Sequence, residues 1–257
     1  MKEQLYTIPL NDAFHTEDEC PFCYIERSLE QHSIEFVLGA SQASYMEDNI
    51  RAETDRQGFC ADHFHKLFVY GNRLGSALIM ETHLKNLRAG LEKEISQYAP
   101  GKKASLFSRF SKNDGEEKEG NNISRWIDER ESTCYICDSM KKTYDRYIDT
   151  FFEMYRKDAA FRETVKNGKG FCLKHFSDIL KGAEARMNEK EKKELYDVLF
   201  PQMLNGLSRI TEDVEWFQKK FDYRFKDADW KNAKDSVQRA MQKVAGGYPA
   251  DPPFEAK

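Results

Sequence analysis

The sequence predicts an all-α chain, and three observations carry that prediction. Apolar residues recur at helical spacing through most of the 257 residues, as in Tyr144, Tyr147, Ile148, Phe151, Phe152 and Tyr155. No strand-like alternation stands out, and no Asn-Gly turn sits between apolar runs. Charged residues make up 33% against 40% hydrophobic, a balance that suits long amphipathic helices better than a thick sheet.

Taken in order, residues 1–19 read as an extended lead-in, with Pro9 breaking any helix and Asn11 or Asp12 capping a brief turn. From Cys20, the residues Phe22, Ile25, Leu29, Phe36, Val37 and Ala40 mark a helix. A shorter helix is expected around Met46–Thr54, stopped at Gly58. The pattern restarts at Phe64 and runs to Tyr98 as one long helix, or as two bent near Gly71 or Gly75. Composition then shifts. Residues 99–122 hold three glycines and nine charged side chains and read as a flexible linker. The basic part, Lys102–Lys112 with Leu106, Phe107 and Phe110, also suits a docking segment for an acidic surface or membrane, although a solvated linker is the simpler account.

Past the linker, Trp126 and Ile127 place a short helix before Cys134, and Met140–Tyr155 a long one. Phe161 and Val165 suggest another that ends at Gly168. Leu173, Phe176, Ile179 and Leu180 follow, then a bridge rich in lysine and glutamate. Leu195 to Phe221 forms a helix that Pro201 should kink or start afresh. Trp230, Val237, Met241 and Val244 mark the last helix, and a tail with Gly246-Gly247 and Pro252-Pro253 is expected to fray. This gives a first repeat at 1–98, a linker at 99–122 and a second repeat with extra C-terminal helices at 123–257.

The repeats are defined by two phrases that each occur twice. Cys20-Pro21-Phe22-Cys23 is answered by Gly58-Phe59-Cys60, with His63 three residues on. Cys134-Tyr135-Ile136-Cys137 is answered by Gly170-Phe171-Cys172, with His175 in the same place. All six cysteines are used, and two of the six histidines complete two sets of four ligands. A thiolate rather than a thiol binds metal. Each pair sits where a helix is expected to start, so free amides and the macrodipole would favour that negative charge. Phe59 and Phe171 would press an apolar ring beside each set.

Three thiolates and an imidazole suit zinc, whose tetrahedral shell four protein ligands close, so two structural zinc ions per chain are expected. An iron–sulfur cluster is the alternative, since three cysteines and one histidine can ligate one. A thiol–disulfide role needs a βαβ context, which is missing. Pairing within each copy would set Cys20, Cys23, Cys60 and His63 around one ion, and Cys134, Cys137, Cys172 and His175 around the other; a swapped arrangement stays open. His65, beside the first CxxH, is a surface or outlying histidine on the simpler reading. His15, His32 and His83 are isolated, and Asp62 and Asp138 read as capping or solvated groups.

With Ile8-Pro9, Ala13-Phe14, Cys-Pro-Phe-Cys and both Gly-Phe-Cys-x-x-His phrases, the sequence resembles an uncharacterised bacterial family, largely from Firmicutes, with a duplicated CPxC…GFCxxH layout. Tyr135 stands where that layout has its second proline. The resemblance supplies no activity.

A net charge of -4 argues against a general nucleic-acid binder. The spacing does not fit a ββα finger, and no phosphate loop or nucleophile elbow occurs. No secretory signal and no membrane span is read, so the expected setting is the cytoplasm, where thiols stay reduced. With neither a nucleophile nor a base identified, the expected role is a non-enzymatic interaction or regulatory module with protein partners. The alternatives are a redox or metal sensor and, with no residue to carry it, an enzyme with a pocket between the halves.

Overall fold

The computed structural model describes residues 5–98 and 121–249, and the regular elements among the described residues are all helices, with no strand. The expected linker, its basic docking segment and the Pro252-Pro253 tail lie outside the described residues, apart from Asn121 and Asn122 at the linker's end.

Helix α1 spans Thr7–Ala13, a correction to the extended lead-in. Pro9 is its third residue, within the first turn, where an amide has no partner inside the helix and its loss costs little. Leu10 and Ala13 on its inner face are buried. Helix α2 (Pro21–Leu38) follows the first CxxC, and α3 (Asp48–Gln57) ends at Gly58. The segment from Phe64 to Tyr98 is two helices, α4 (Ala61–Tyr70) and α5 (Arg73–Gln97). They part at Gly71, which adopts φ +96°, and Asn72 then caps α5 through the Gly75 amide.

Helices α6 (Asn122–Glu131), α7 (Tyr135–Lys157), α8 (Ala159–Asn167) and α9 (Leu173–Arg186) follow the sequence pattern. Helix α10 (Glu189–Lys219) opens on a capping box between Asn188 and Glu191 and continues through Pro201, where a restart or kink was expected. Leu195, Leu199, Met203 and Ile210 on its buried face hold it to the core across the missing hydrogen bond. Helix α11 (Ser236–Ala245) is inverted relative to the apolar reading. Met241 and Val244 are exposed, while Ser236, Arg239, Gln242 and Lys243 are buried.

The helices form two compact units that interleave along the sequence. One combines the described residues up to His32 with those from Met140 onward; the other lies within Ser33–Ser139. Helices α2 and α7 each contribute to both. The first unit has an aromatic core in which Phe14 packs on Phe161 at 5.1 Å and Phe151 on Phe152 at 5.2 Å, edge to face. The stripe from Tyr144 to Tyr155 belongs to this core, with Tyr144 half-buried against it, as the periodicity predicts. In the second unit α3 is tied to α5 by Thr82 Oγ1, which donates to Asp55 at 2.8 Å. Trp126 on α6 lies so close to α5 at Gly90 that a Cβ there would stand 2.6 Å from the ring.

Candidate metal centres

Each candidate ligand set is built from two helix starts. Cys20 stands immediately before α2, and Cys172 is the N-cap of α9. Cys134 stands immediately before α7, and Cys60 is the N-cap of α4. At these positions the sulfurs meet backbone amides without intrahelical partners: the His175 amide donates to Cys172 Sγ at 3.5 Å and the Cys137 amide to Cys134 Sγ at 3.5 Å.

The structure gathers all eight predicted residues into two clusters, and it pairs them across the copies. Cys20, Cys23, Cys172 and His175 form one; Cys60, His63, Cys134 and Cys137 form the other. Within each, one donor atom per residue lies within 4.8 Å of all the rest. The within-copy pairing is thereby corrected.

In the first cluster His175 Nδ1 lies 3.3, 3.5 and 3.2 Å from the sulfurs of Cys20, Cys23 and Cys172, and Cys23 Sγ is 3.7 Å from Cys172 Sγ. In the second, His63 Nδ1 lies 3.2, 3.3 and 3.3 Å from Cys60, Cys134 and Cys137, and Cys60 Sγ is 3.9 Å from Cys137 Sγ. Either arrangement could hold a metal ion.

Hydrogen bonds beside the candidate ligands hold the cross-paired segments together. In the second cluster the Tyr135 amide donates to the Gly58 carbonyl at 3.0 Å and Thr133 Oγ1 to the Gln57 carbonyl at 2.7 Å, while Arg130 reaches the Arg56 carbonyl. The chain leading into Cys60 is thus sewn to the chain leading into Cys134. In the first cluster the clip is α11. Lys243 Nζ donates to the carbonyls of Glu19 and Lys169 at 3.1 and 2.6 Å, one just before Cys20 and the other just before Gly170. Gln242 accepts from the Glu19 amide at 3.2 Å and donates to Asp18 at 2.7 Å. Glu19 is itself buried and pairs with Arg209 at 2.5 Å.

Electrostatics single out one more residue. His175 Nε2, on the ring edge away from the sulfurs, faces a Glu26 carboxylate oxygen at 3.1 Å, and Lys174 holds the same carboxylate at 2.5 Å. Burial works against a proton on His175, but Cys172, Cys20 and Glu26 outweigh it and push the ring up to about 11. In the second cluster, burial would raise Cys134, yet hydrogen bonds from His63 and the Cys137 and Cys60 backbone bring it down to about 6. Glu26, Gln242 and Lys243 escape a motif search, because nothing in their spacing resembles a ligand pair. The one available signal was the polar stripe Ser236, Arg239, Lys243 on α11.

Phe171 is fully buried in the aromatic core, and Phe59 packs at 5.4 Å on Phe64. Asp62 pairs with Lys66 across one turn, as a solvated group would. A groove of about 530 Å³ along α5 and α6, lined by residues including Leu84, Leu87, Leu91 and Trp126, contains none of the eight candidate ligands.

Among known proteins, the sequence profile of a family described as "Family of unknown function (DUF6062)" matches residues 1–251. No curated protein and no solved structure matches the chain.

Proposed function

We propose, for a chain that belongs to the DUF6062 family of unknown function, a non-enzymatic role in which two zinc ions lock a helical scaffold that serves as an interaction or regulatory module. The observation that carries this is the size of the two clusters. Tetrahedral zinc with Zn–S of about 2.3 Å and Zn–N of about 2.0–2.1 Å separates ligand sulfurs by about 3.8 Å and sulfur from nitrogen by about 3.6 Å. The sulfur pairs at 3.7 and 3.9 Å and the sulfur–nitrogen pairs at 3.2–3.5 Å fit one such ion each. An iron–sulfur cluster would need its ligands spread around a body of several atoms.

Four protein ligands leave a tetrahedral ion no open position for water or substrate, which supports a structural rather than a catalytic role. Each centre ties stretches of chain more than seventy residues apart, so its formation is coupled to folding. The six cysteines are all free thiols in the structure, and unpaired thiols persist best in a reducing compartment, which favours the cytoplasm. Among the described residues no helix is long and apolar enough to cross a membrane. A second reading, as a metal or redox sensor, is favoured by one observation: Cys137 is exposed.

Metal analysis of protein purified without oxygen, together with its absorption spectrum, tests the reading. Two zinc per chain in colourless protein is expected. Brown protein carrying iron and sulfide would overturn it, as would protein that binds no metal.

A further inference from the structure

The two centres share one ligand set and nearly one geometry, yet they differ in access. Cys20, Cys23, Cys172 and His175 each have 0% exposure. A Cβ built on Gly246, just past α11, would stand 3.5 Å from Cys172 Sγ and 3.8 Å from Cys23 Sγ, so the chain there roofs the sulfurs. In the other centre His63 and Cys134 are buried, but Cys60 is partly exposed and Cys137 is exposed. Those two sulfurs are also the pair at 3.9 Å. The first centre therefore acts as an internal control. Its sulfur pair is just as close, at 3.7 Å, but solvent cannot reach it.

Resting on the reading of both clusters as zinc centres, we propose that the Cys60–His63–Cys134–Cys137 centre is a peroxide-addressed release site, with Cys137 the sulfur attacked by oxidant and Cys60 the one that resolves it. Cys137 thiolate attacks one oxygen of a hydroperoxide, the O–O bond breaks, and the departing hydroxide (or alkoxide) takes a proton. Cys137 is now a sulfenic acid. Cys60 thiolate attacks that sulfur, the S–O bond breaks, and hydroxide leaves and takes a second proton. Two thiolates, one hydrogen peroxide and two protons become one disulfide and two waters. The ion keeps only Cys134 and His63 and departs. Thiol reductant with added zinc reverses the change.

At the first centre the same chemistry waits on local opening of the fold, which makes it slower by about tenfold or more. The outcome is a chain with one permanent ion and one whose presence reports peroxide.

The experiment uses the full chain loaded with two zinc ions, hydrogen peroxide as probe, and a chromogenic zinc chelator to record release. One equivalent should appear in a fast phase and the second at least about ten times more slowly. Peptide mapping at the end of the fast phase should find a Cys60–Cys137 disulfide with Cys20, Cys23 and Cys172 still reducible. Brief alkylation of the untreated native protein provides a readout that needs no variant, and Cys137 should label first. Release of both ions at one rate, a Cys23–Cys172 disulfide in the fast phase, or no release would each overturn the proposal. A chain isolated with two zinc ions that fails in any of these ways leaves the zinc reading intact; a chain that binds no zinc overturns that reading and this proposal with it.

Discussion

The sulfurs of Cys23 and Cys172 lie 3.7 Å apart across 149 residues of sequence. One ion held by both is lost when either is removed, so their substitutions cannot add. Cys20→Ser and Cys172→Ser should each lower zinc content from two per chain to one, and the double variant should stay at one. Cys20→Ser combined with Cys60→Ser should leave none. Pairing within copies predicts the reverse for both double variants, and metal analysis distinguishes them.

Glu26 faces His175 Nε2 at 3.1 Å and so fixes which ring nitrogen turns to the sulfurs. Such outer partners are typically worth about 10–100-fold in metal affinity. Glu26→Ala should weaken zinc at the first centre by about that factor, with Glu26→Gln recovering part of it and the second centre unaffected. Competition with a chelator of known affinity checks this. Equal weakening of both centres would refute the assignment.

Lys243, 1% exposed, bridges two carbonyls that lead into opposite halves of the first centre. Lys243→Met removes the donor from the buried Glu19 carbonyl, at about 1–3 kcal/mol, and from the half-buried Lys169 carbonyl, at less. Arg209 and Arg239 still face Glu19, so the buried carboxylate keeps cationic partners. The variant should unfold at lower urea and lose the first centre's ion fastest. Unchanged urea midpoint and retention would show that the bridge contributes nothing.

Which of these features could be read in advance depends on how local their cause is. The eight candidate ligands were legible as a set because a motif that occurs twice is a property of the string itself. Their pairing was not, because it rests on contacts between segments far apart in the sequence, such as the Tyr135 amide on the Gly58 carbonyl and Lys243 between the Glu19 and Lys169 carbonyls. Helix α2, with 18 residues, runs about 27 Å, while α3, with 10, runs about 15 Å. Helices α7 and α8, with 23 and 9 residues, are more unequal still. Arms this unequal give no local reading of which CxxH meets which CxxC. Pro9 and Pro201 misled for a related reason: the first sits in an opening turn that tolerates it, and the second lies on a helix whose burial outweighs one lost bond. Helix α11 defeated apolar periodicity altogether, because its buried face is made of the polar residues that clip the first centre.

Acid should empty the second centre along a curve that steepens near pH 6. Metal binds the deprotonated ligand, so every group that must shed a proton on loading weakens binding by about a factor of ten per pH unit as pH falls. In the chelated protein Cys134 carries no proton above about 6, so it adds no pH dependence there. Below that value it is protonated and adds one further factor of ten per unit. His175, held near 11 in the chelated protein, must release its proton throughout the neutral range, so the first centre should show no corresponding bend. Zinc competition titrations from pH 8 to 5, with calorimetry in two buffers of different ionisation enthalpy to count protons, should show the second centre releasing about one more proton per ion at pH 5 than at pH 7.5. A constant proton count across that range at the second centre would show that Cys134 is not the thiolate already present at neutral pH.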